Sequence, residues 1–317
     1  MKRFVFPVIA GPTASGKTAL AVRMAQRFDG EVVSADSMQV YDTLRIGTAR
    51  PTPEETEGVP HHLQGCVPLR AAYSVAQYVK DASVAVEGIA ARGKLPVLCG
   101  GTGLYIQSFL DHLDFTEEAG DTALREELRH RAETQGGQVL LDELRQFDPE
   151  SADRLHENDL GRIIRAIEVY RMTGISMSET ARRAKSRPSP YDGCLIVLDA
   201  HDRAFLYDRI DRRVDIMVRE GLLDEARAVL ASGQAATAMQ AIGYNELSPW
   251  YAGELSLEEA LENLKRGTRR YAKRQLSWFR RMEGVHWLYI DEYGTPDALA
   301  DAAAAVWEDY RKGARNG

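Results

Sequence analysis

The sequence is poor in cysteine and contains no long hydrophobic run. Its 317 residues include three cysteines, Cys66, Cys99 and Cys194, which lie far apart. Widely spaced thiols form neither a disulfide framework nor a metal-ligand cluster, so we expect buried free thiols in a reducing compartment. No apolar run reaches the roughly 18 residues of a membrane span, and we expect no signal peptide. These absences predict a cytoplasmic protein without membrane contact.

An excess of positive charge is also missing. The formal net charge is −7 at pH 7, so the whole molecule does not attract nucleic acid electrostatically. Any contact with nucleic acid must come from local basic patches. The 44% hydrophobic content is that of an ordinary globular protein, and the length allows one large domain or two.

One glycine-rich segment, residues 11–18 (GPTASGKT), follows an apolar run at Phe4–Ala10 and opens a helical run at Ala19–Phe28. A strand, a glycine-rich turn and a helix are the context of a phosphate-binding P-loop, which is typical of nucleotide-binding and ATP-binding proteins. Lys17 would meet a terminal phosphate, and the Thr18 hydroxyl suits magnesium. The candidate diphosphate-binding residues are Gly11, Thr13, Ala14, Ser15, Gly16, Lys17 and Thr18. The alternative is a helix-opening turn that binds nothing.

Two further predicted strands end in polar turns. Residues 31–35 lead into Asp36, and residues 95–99 lead into the glycine-rich turn 100–103, which contains Thr102. The carboxyl ends of parallel strands face the ligand crevice, so Asp36 could act as a general base or hold magnesium through water. Its structural alternative is a helix N-cap. Thr102 could donate to a phosphate oxygen or belong to a plain turn; the strand before it lacks a Walker B carboxylate, which argues against an ordinary ATPase.

A predicted loop at residues 60–65 contains the adjacent histidines His61 and His62. Neighbouring residues of a regular element do not share a face, so we do not expect this pair to bind one metal ion. Loop packing or ligand contact is the expected role.

Helical, charged segments dominate between about residues 116 and 187, which predicts a helical insertion in an α/β core. Residues 162–187 hold seven Lys or Arg against two Glu. Both a solvated face and phosphate contacts explain this excess. A later helix is also basic, with eight Lys or Arg and no acid over residues 263–281.

Between these helices, Asp199 ends another predicted strand and is an alternative Walker B carboxylate. Arg213 belongs to an arginine row that could clamp a diphosphate.

Eight stretches together resemble one family, the bacterial tRNA dimethylallyltransferases, or isopentenylpyrophosphate–tRNA transferases. The stretches are GPTASGKT (11–18), SADSMQVY (34–41), IGTARP (46–51), PHHL (60–63), GGTGLY (100–105), GLLDEAR (221–227), QAIGYNE (240–246) and TRRYAKRQLSWFRR (268–281). They occur in the family's order along nearly the whole chain, which makes the combination far more specific than the P-loop alone.

The resemblance implies an α/β fold with a P-loop NTPase-like parallel-sheet core, residues 1–115 and 190–317. An all-helical insertion domain, residues 116–189, would grip the tRNA anticodon stem-loop. The implied reaction moves a dimethylallyl group from dimethylallyl diphosphate to the exocyclic amine of the adenosine 3′-adjacent to the anticodon. The products are isopentenyladenosine and diphosphate.

The resemblance also implies residue roles. Asp36 would take the amine proton, Thr102 would lie near the bridging oxygen of the donor, and Arg213 would contact the diphosphate. Mg²⁺, bound at Thr18, would assist. The implied tRNA-binding residues are Asp36, Ser37, Met38, Gln39, Thr102, Arg125, Gly161, Arg162, Ile163, Ile164, Arg165, Gln240, Ala241, Ile242, Gly243, Tyr244 and Asn245. Gln64 and Gly65 depart from the acidic residue that often follows PHHL, and we expect a monomer without zinc.

Three other functions share part of this pattern. A P-loop nucleotide or nucleoside kinase would use the loop and Asp36 but has no clear use for the turn at residues 100–103. An adenylate isopentenyltransferase acting on free AMP would not need the basic insertion. A non-catalytic RNA-binding module would not need Lys17 and Asp36 together.

Overall fold

In a computed structural model of the protein, the structure describes residues 3–113, 120–185, 188–232 and 241–316. The chain folds into two compact units. One comprises Met1–Leu110 and Pro190–Gly317, and the other comprises Asp111–Ser189. The first unit is α/β and the second is helical, so the predicted fold class is confirmed. The helical unit begins at Asp111, five residues before the predicted residue 116.

The α/β unit is built on one six-stranded sheet in which every neighbouring pair is parallel. The strands are β1 (Phe4–Ala10), β2 (Gly30–Ser34), β3 (His61–His62), β4 (Leu95–Gly100), β5 (Tyr191–Asp199) and β6 (His286–Tyr289), in the order β3-β2-β4-β1-β5-β6. β3 corrects the loop predicted for residues 60–65, since His61 and His62 pair with Val32 and Val33. Two polar residues are too few to show a strand period.

The described part of the chain contains fourteen α-helices, of which α5 to α9 belong to the helical unit. They are α1 (Lys17–Arg27), α2 (Pro53–Thr56), α3 (Val75–Ala91), α4 (Gly103–Leu110), α5 (Thr122–Gln135), α6 (Gly137–Phe147), α7 (Pro149–Ala152), α8 (Leu160–Thr173), α9 (Met177–Lys185), α10 (Arg203–Arg219), α11 (Leu222–Ala231), α12 (Ser248–Tyr251), α13 (Leu257–Phe279) and α14 (Pro296–Asn316). None within the described ranges combines the length and apolar character that crossing a bilayer requires.

The central strand β1 is buried from Phe6 to Ala10 because helices cover both faces of a parallel sheet. The same core cluster contains Met24 from α1, Leu276 from α13 and Trp307 from α14. β2, β4 and β1 are adjacent, so the turns that follow them come together at one edge of the sheet. This edge carries the phosphate loop, Asp36 and the turn 100–103.

The helical unit has a separate apolar core. Leu128 of α5, Leu140 and Leu144 of α6, and Ile163 and Ile167 of α8 form its centre. Their spacing of three or four residues along α6 and α8 places one stripe of each helix inward. The opposite faces carry the charged residues, which explains why this segment looked basic in the sequence.

Candidate active site

The predicted diphosphate-binding residues form the turn between β1 and α1 together with the first two residues of α1. Gly16 caps α1 with φ +88°, a left-handed conformation that suits glycine. Ala14 is also left-handed, at φ +62°. No side chain among the described residues caps α1, so its first N–H groups remain available to an anion. Ser15 is buried, and its hydroxyl finds no hydrogen-bond partner in the described part of the chain.

The Lys17 ammonium lies over this loop and donates to the Pro12 carbonyl at 3.0 Å. Burial lowers the pKa of Lys17, the neighbouring Cys99 and Asp36 raise that pKa, and the Arg213 guanidinium lowers it. Asp36 and Arg213 therefore both lie within electrostatic reach of Lys17. A cation that burial disfavours gains most from an anionic ligand.

Asp36 adopts the capping geometry that the sequence offered as its structural alternative. Its Oδ1 accepts from the backbone N–H groups of Met38 at 2.9 Å and Gln39 at 3.3 Å, as an N-cap does. No described residue donates a hydrogen bond to its Oδ2. A cavity of about 20 Å³ is lined by Asp36 together with Lys17 and Thr18. The carboxylate is thus held by the turn and still faces the phosphate loop.

Thr102 is linked to the loop after β2. The Ser37 N–H donates to Thr102 Oγ1 at 3.0 Å, and this hydroxyl donates to Ser37 Oγ at 3.3 Å. The Thr102 N–H also donates to the Ala35 carbonyl at 3.1 Å. The turn therefore fixes Thr102 beside the segment that carries Asp36, which a plain strand-to-helix connection does not require.

Magnesium needs few protein ligands, since it keeps several waters and takes one or two protein oxygens besides substrate phosphates. The cavity beside Lys17 has room for about one small ion or water. Thr18 and Asp36 supply a hydroxyl and a carboxylate to it. No group of three or more His, Cys, Asp or Glu residues within the described ranges forms a metal cage. The residues present fit a phosphate-bound, hydrated Mg²⁺ rather than a dedicated protein cage.

The strand-end carboxylate of Asp199 does not reach this site, contrary to the alternative considered from the sequence. Its two oxygens accept from Arg203 at 2.5 and 2.9 Å, and Oδ2 also accepts from Arg280 at 3.2 Å. The buried carboxylate thereby joins β5 to α10 and the end of α13. Asp199 is a structural ion-pair residue.

Arg213 and Arg209 come from one face of α10. Arg213 is partly exposed and lies 4.0 Å from Glu55. The Nε of Arg209 donates to the Ala14 carbonyl of the phosphate loop at 2.9 Å. Two guanidinium groups thus lie at or near the loop, where a released diphosphate would need charge compensation.

The implied RNA-contact segments of the α/β unit are largely half-buried or buried. Ser37, Met38 and Gln39 are half-buried, and the Gln39 amide donates to the carbonyls of Thr48 at 3.1 Å and Ala49 at 3.2 Å. In the second segment Ala241, Gly243 and Tyr244 are buried, Ile242 is half-buried and Asn245 is exposed. Gln240 lies outside the described residues.

In the helical unit, Arg125 and Arg165 converge on Glu168. Arg125 Nε lies 2.7 Å from Oε1 and Arg165 Nη1 lies 2.6 Å from Oε2. A cavity of about 470 Å³ is lined by both arginines, Arg129 and Gly161. The wall of this cavity thus contains three arginines and one acidic residue, Glu133.

The implied contact Ile163 needs a correction, because its side chain is fully buried among Leu128 and Leu140 of the helical core. Ile164 is buried as well but lines the 470 Å³ cavity. Gly161 and Arg162 are exposed. An RNA surface on α8 therefore depends on the glycine and the arginines.

Sequence reasoning missed Gln275 and Glu225. Gln275 is a buried amide on α13 between the apolar residues Ala272 and Leu276. A glutamine flanked by core positions on an amphipathic helix was the available signal. Glu225 accepts hydrogen bonds from the backbone of residues 45–47. Nothing in its local sequence distinguishes it from a solvent-facing glutamate.

A parallel sheet whose central strand leads into a glycine-rich cationic loop, with a carboxylate after β2 two strands away at the same edge, defines an α/β protein with a P-loop-like core. The family model described as IPP transferase matches residues 39–282, more than half of the chain. A second model, described as isopentenyl transferase, matches residues 5–62. The chain belongs to the IPP transferase family.

Curated relatives and solved structures agree with this membership. The tRNA dimethylallyltransferase of Caldanaerobacter subterraneus is 46% identical over 297 residues, which cover 93% of this chain and 94% of the relative. The corresponding protein of Exiguobacterium sibiricum is 48% identical over 282 residues, or 89% of this chain and 88% of the relative.

Among solved structures, the tRNA isopentenylpyrophosphate transferase of Bacillus halodurans is 39% identical with a TM-score of 0.72 and covers 99% of this chain and 100% of its own. A eukaryotic dimethylallyltransferase acting on tRNA is 31% identical with a TM-score of 0.84, covering 99% of this chain and 80% of its own.

Proposed function

We propose that this protein transfers a dimethylallyl group from dimethylallyl diphosphate to tRNA, at the exocyclic amine of the adenosine 3′-adjacent to the anticodon. The products are isopentenyladenosine in the tRNA and diphosphate. The observation that carries the proposal is the cavity that Asp36 shares with Lys17 and Thr18. It brings together a proton acceptor and a phosphate-binding loop, in a chain whose relatives are tRNA dimethylallyltransferases.

The phosphate loop holds the donor by its diphosphate in this proposal. The N–H groups at the start of α1, Lys17 and Arg213 compensate the charge that the leaving diphosphate gains as its bond to the allylic carbon breaks. Thr18 and Asp36 would hold a Mg²⁺ ion, which would supply Lewis-acid stabilisation of the same phosphates when bound. Thr102 supplies a hydroxyl next to the bridging oxygen.

The acceptor is an adenine amine, a weak nucleophile because its lone pair is delocalised into the ring. As the new carbon–nitrogen bond forms, the amine proton passes to Asp36. Positioning makes up for the low nucleophilicity, because a bound and aligned pair reacts as one molecule. The base leaves its stack in the anticodon loop at a cost of a few kcal/mol.

Contacts with the RNA backbone offset the free-energy cost of removing the base from its stack. The exposed arginines of α8 and the basic residues of α13 supply phosphate contacts. We propose a monomer acting in the cytoplasm, where its tRNA substrate occurs.

The family matches also weigh against the alternatives. The isopentenyl transferase model ends at residue 62, whereas the IPP transferase model continues through the helical unit. An enzyme acting on free AMP has no need of that unit or of its arginine-lined cavity. A nucleotide kinase leaves the turn that holds Thr102 without a role.

One assay separates these functions. Labelled dimethylallyl diphosphate is incubated with the protein and with unmodified tRNA, with AMP, or with nucleoside plus ATP. We expect label in tRNA alone. Labelled AMP would instead indicate an adenylate isopentenyltransferase. Phosphorylation of the nucleoside by ATP would indicate a kinase.

Replacing Asp36 tests the proposed base. We expect Asp36→Ala to lower kcat at least about 100-fold, the contribution typical of general base catalysis, while the Kd for tRNA stays within about threefold. The matched control is Asp42→Ala, since Asp42 is exposed and, among the described residues, its carboxylate has a hydrogen bond only with its neighbour Thr43. A wild-type turnover number for Asp36→Ala would remove Asp36 from this role.

A further inference from the structure

Gln275 connects two loops that are far apart in sequence. Its Oε1 accepts from the Thr13 N–H of the phosphate loop at 3.0 Å, and its Nε2 donates to the Gly101 carbonyl at 2.9 Å. A backbone N–H needs an acceptor and a carbonyl needs a donor, so the two partners fix the orientation of the amide. A single buried side chain thus holds the loop after β1 and the turn after β4.

The packing around Gln275 leaves little freedom. A Cβ atom added at Gly101 would lie 2.2 Å from Gln275 Nε2, so only glycine allows this approach. The neighbouring Ala272 and Leu276 belong to the main core, which fixes α13 at this point. Gln275 is 5% exposed, and water therefore does not substitute readily for its hydrogen bonds.

Tyr271 lies one turn earlier on α13. Burial and the charge of Asp36 raise the pKa of Tyr271, whereas the Thr102 and Gln275 side chains lower it, and the net shift is upward. The phenol therefore stays protonated and lies within electrostatic reach of Asp36.

We propose that Gln275 is a positioning residue that holds the phosphate loop in register with the turn that carries Thr102. The phosphate loop then holds the leaving diphosphate, and the turn places the Thr102 hydroxyl beside the bond between the allylic carbon and that diphosphate. This inference rests on the proposed transferase function. Gln275 itself touches no reacting atom, so its effect is on alignment.

The test replaces Gln275 with methionine, which keeps the length of the side chain and removes both hydrogen bonds. We expect kcat to fall about 100-fold, as a misplacement of about 1 Å can produce, with the KM for the donor and the Kd for tRNA changed by less than about threefold. Hydrogen exchange of the free protein should become faster at residues 11–18 and 100–103 and stay unchanged in β5 and α14.

Two further variants sharpen the result. Gln275→Glu keeps an acceptor for Thr13 but cannot donate to Gly101, so faster exchange should be confined to residues 100–103. Gln26→Met is the matched control, because the Gln26 amide makes an exposed contact with Glu57 away from both loops. It should match the wild type in exchange and in kinetics.

Wild-type kcat in Gln275→Met would overturn the inference while leaving the proposed function intact. Exchange that accelerates evenly through the whole α/β unit, with a lowered Tm, would also overturn it, because Gln275 would then be a general core residue. If the wild-type protein transfers no label, the proposed function fails, and equal exchange in Gln275→Met and wild type would then refute the link between the loops as well.

Discussion

Glu168 illustrates how a single buried charge is kept in this protein. Burial by itself raises the pKa of Glu168, but hydrogen bonds and charges from Arg125 and Arg165 outweigh it and hold that pKa below its ordinary value. A lowered folded-state pKa means that the carboxylate stabilises the fold at pH values above the ordinary pKa. This stabilisation is lost as the pH falls through the folded-state value.

We therefore expect Glu168→Gln to destabilise the helical unit by about 2–3 kcal/mol at pH 7, because it leaves two guanidinium groups without their charged partner. The difference from wild type should begin to shrink below the ordinary glutamate pKa of about 4.3 and disappear as the pH falls through the lower folded-state pKa. Hydrogen exchange of α5 and α8 at increasing urea concentrations measures both values. The control Glu150→Gln removes an exposed pair with Arg154 and should cost less than about 0.5 kcal/mol. An equal difference at pH 7 and pH 3 would contradict this account.

Two carboxylates at strand ends show that the role of a single residue cannot always be predicted from its sequence position. Asp36 follows one predicted strand and Asp199 ends another, and the position at a strand end does not by itself rank them. The structure separates them by their partners: two arginines neutralise Asp199, whereas Asp36 faces Lys17. The two arginines that pair with Asp199 come from α10 and from the end of α13. No local sequence pattern connects these helices to the strand that carries Asp199.

At the level of elements, long periodic segments were predictable and short or tertiary ones were not. The helical run predicted at Ala19–Phe28 belongs to the helix Lys17–Arg27, and the strand predicted at residues 95–99 is Leu95–Gly100. Hydrophobic periodicity and glycine punctuation determine such boundaries locally. β3 was missed because a two-residue strand depends on pairing with β2. The link through Gln275 was missed because its partners are 262 and 174 residues away.

Glu225 of α11 joins three segments that the sequence presents as separate motifs. Its carboxylate accepts from the N–H groups of Arg45 at 3.1 Å, Ile46 at 2.9 Å and Gly47 at 2.8 Å. The Tyr244 hydroxyl donates to the same carboxylate at 2.9 Å. One side chain on a rigid helix therefore anchors the loop at residues 45–47 and the segment implied in RNA binding.

We expect Glu225→Gln to weaken tRNA binding about tenfold, equivalent to about 1.4 kcal/mol, because the amide cannot accept all four hydrogen bonds. The affinity for dimethylallyl diphosphate should not change. Filter binding with tRNA and calorimetry with the donor measure the two effects. The control is Asp224→Asn on the same helix, an exposed position. An unchanged Kd for tRNA in Glu225→Gln would show that the anchored segment does not contribute to RNA binding.

For the whole molecule, the net charge of −7 opposes association with a polyanion, so binding to tRNA must rely on local cations. The arginines of the helical unit differ in whether they are free to contact an RNA phosphate. Arg125 and Arg165 are paired with Glu168, whereas the exposed Arg162 forms no ion pair within the described residues. Each phosphate neutralised by such a cation releases counterions, which makes the Kd depend on salt.

We expect the plot of log K against log salt concentration for tRNA to be linear, with a slope that Arg162→Ala reduces in magnitude by about one. The control Arg154→Ala removes an exposed arginine that is paired with Glu150 and should leave the slope unchanged. Titrations from 50 to about 200 mM salt give the slopes. If Arg162→Ala weakens binding equally at all salt concentrations, this arginine supports the shape of α8 rather than a phosphate contact, and the basic surface must lie on α13.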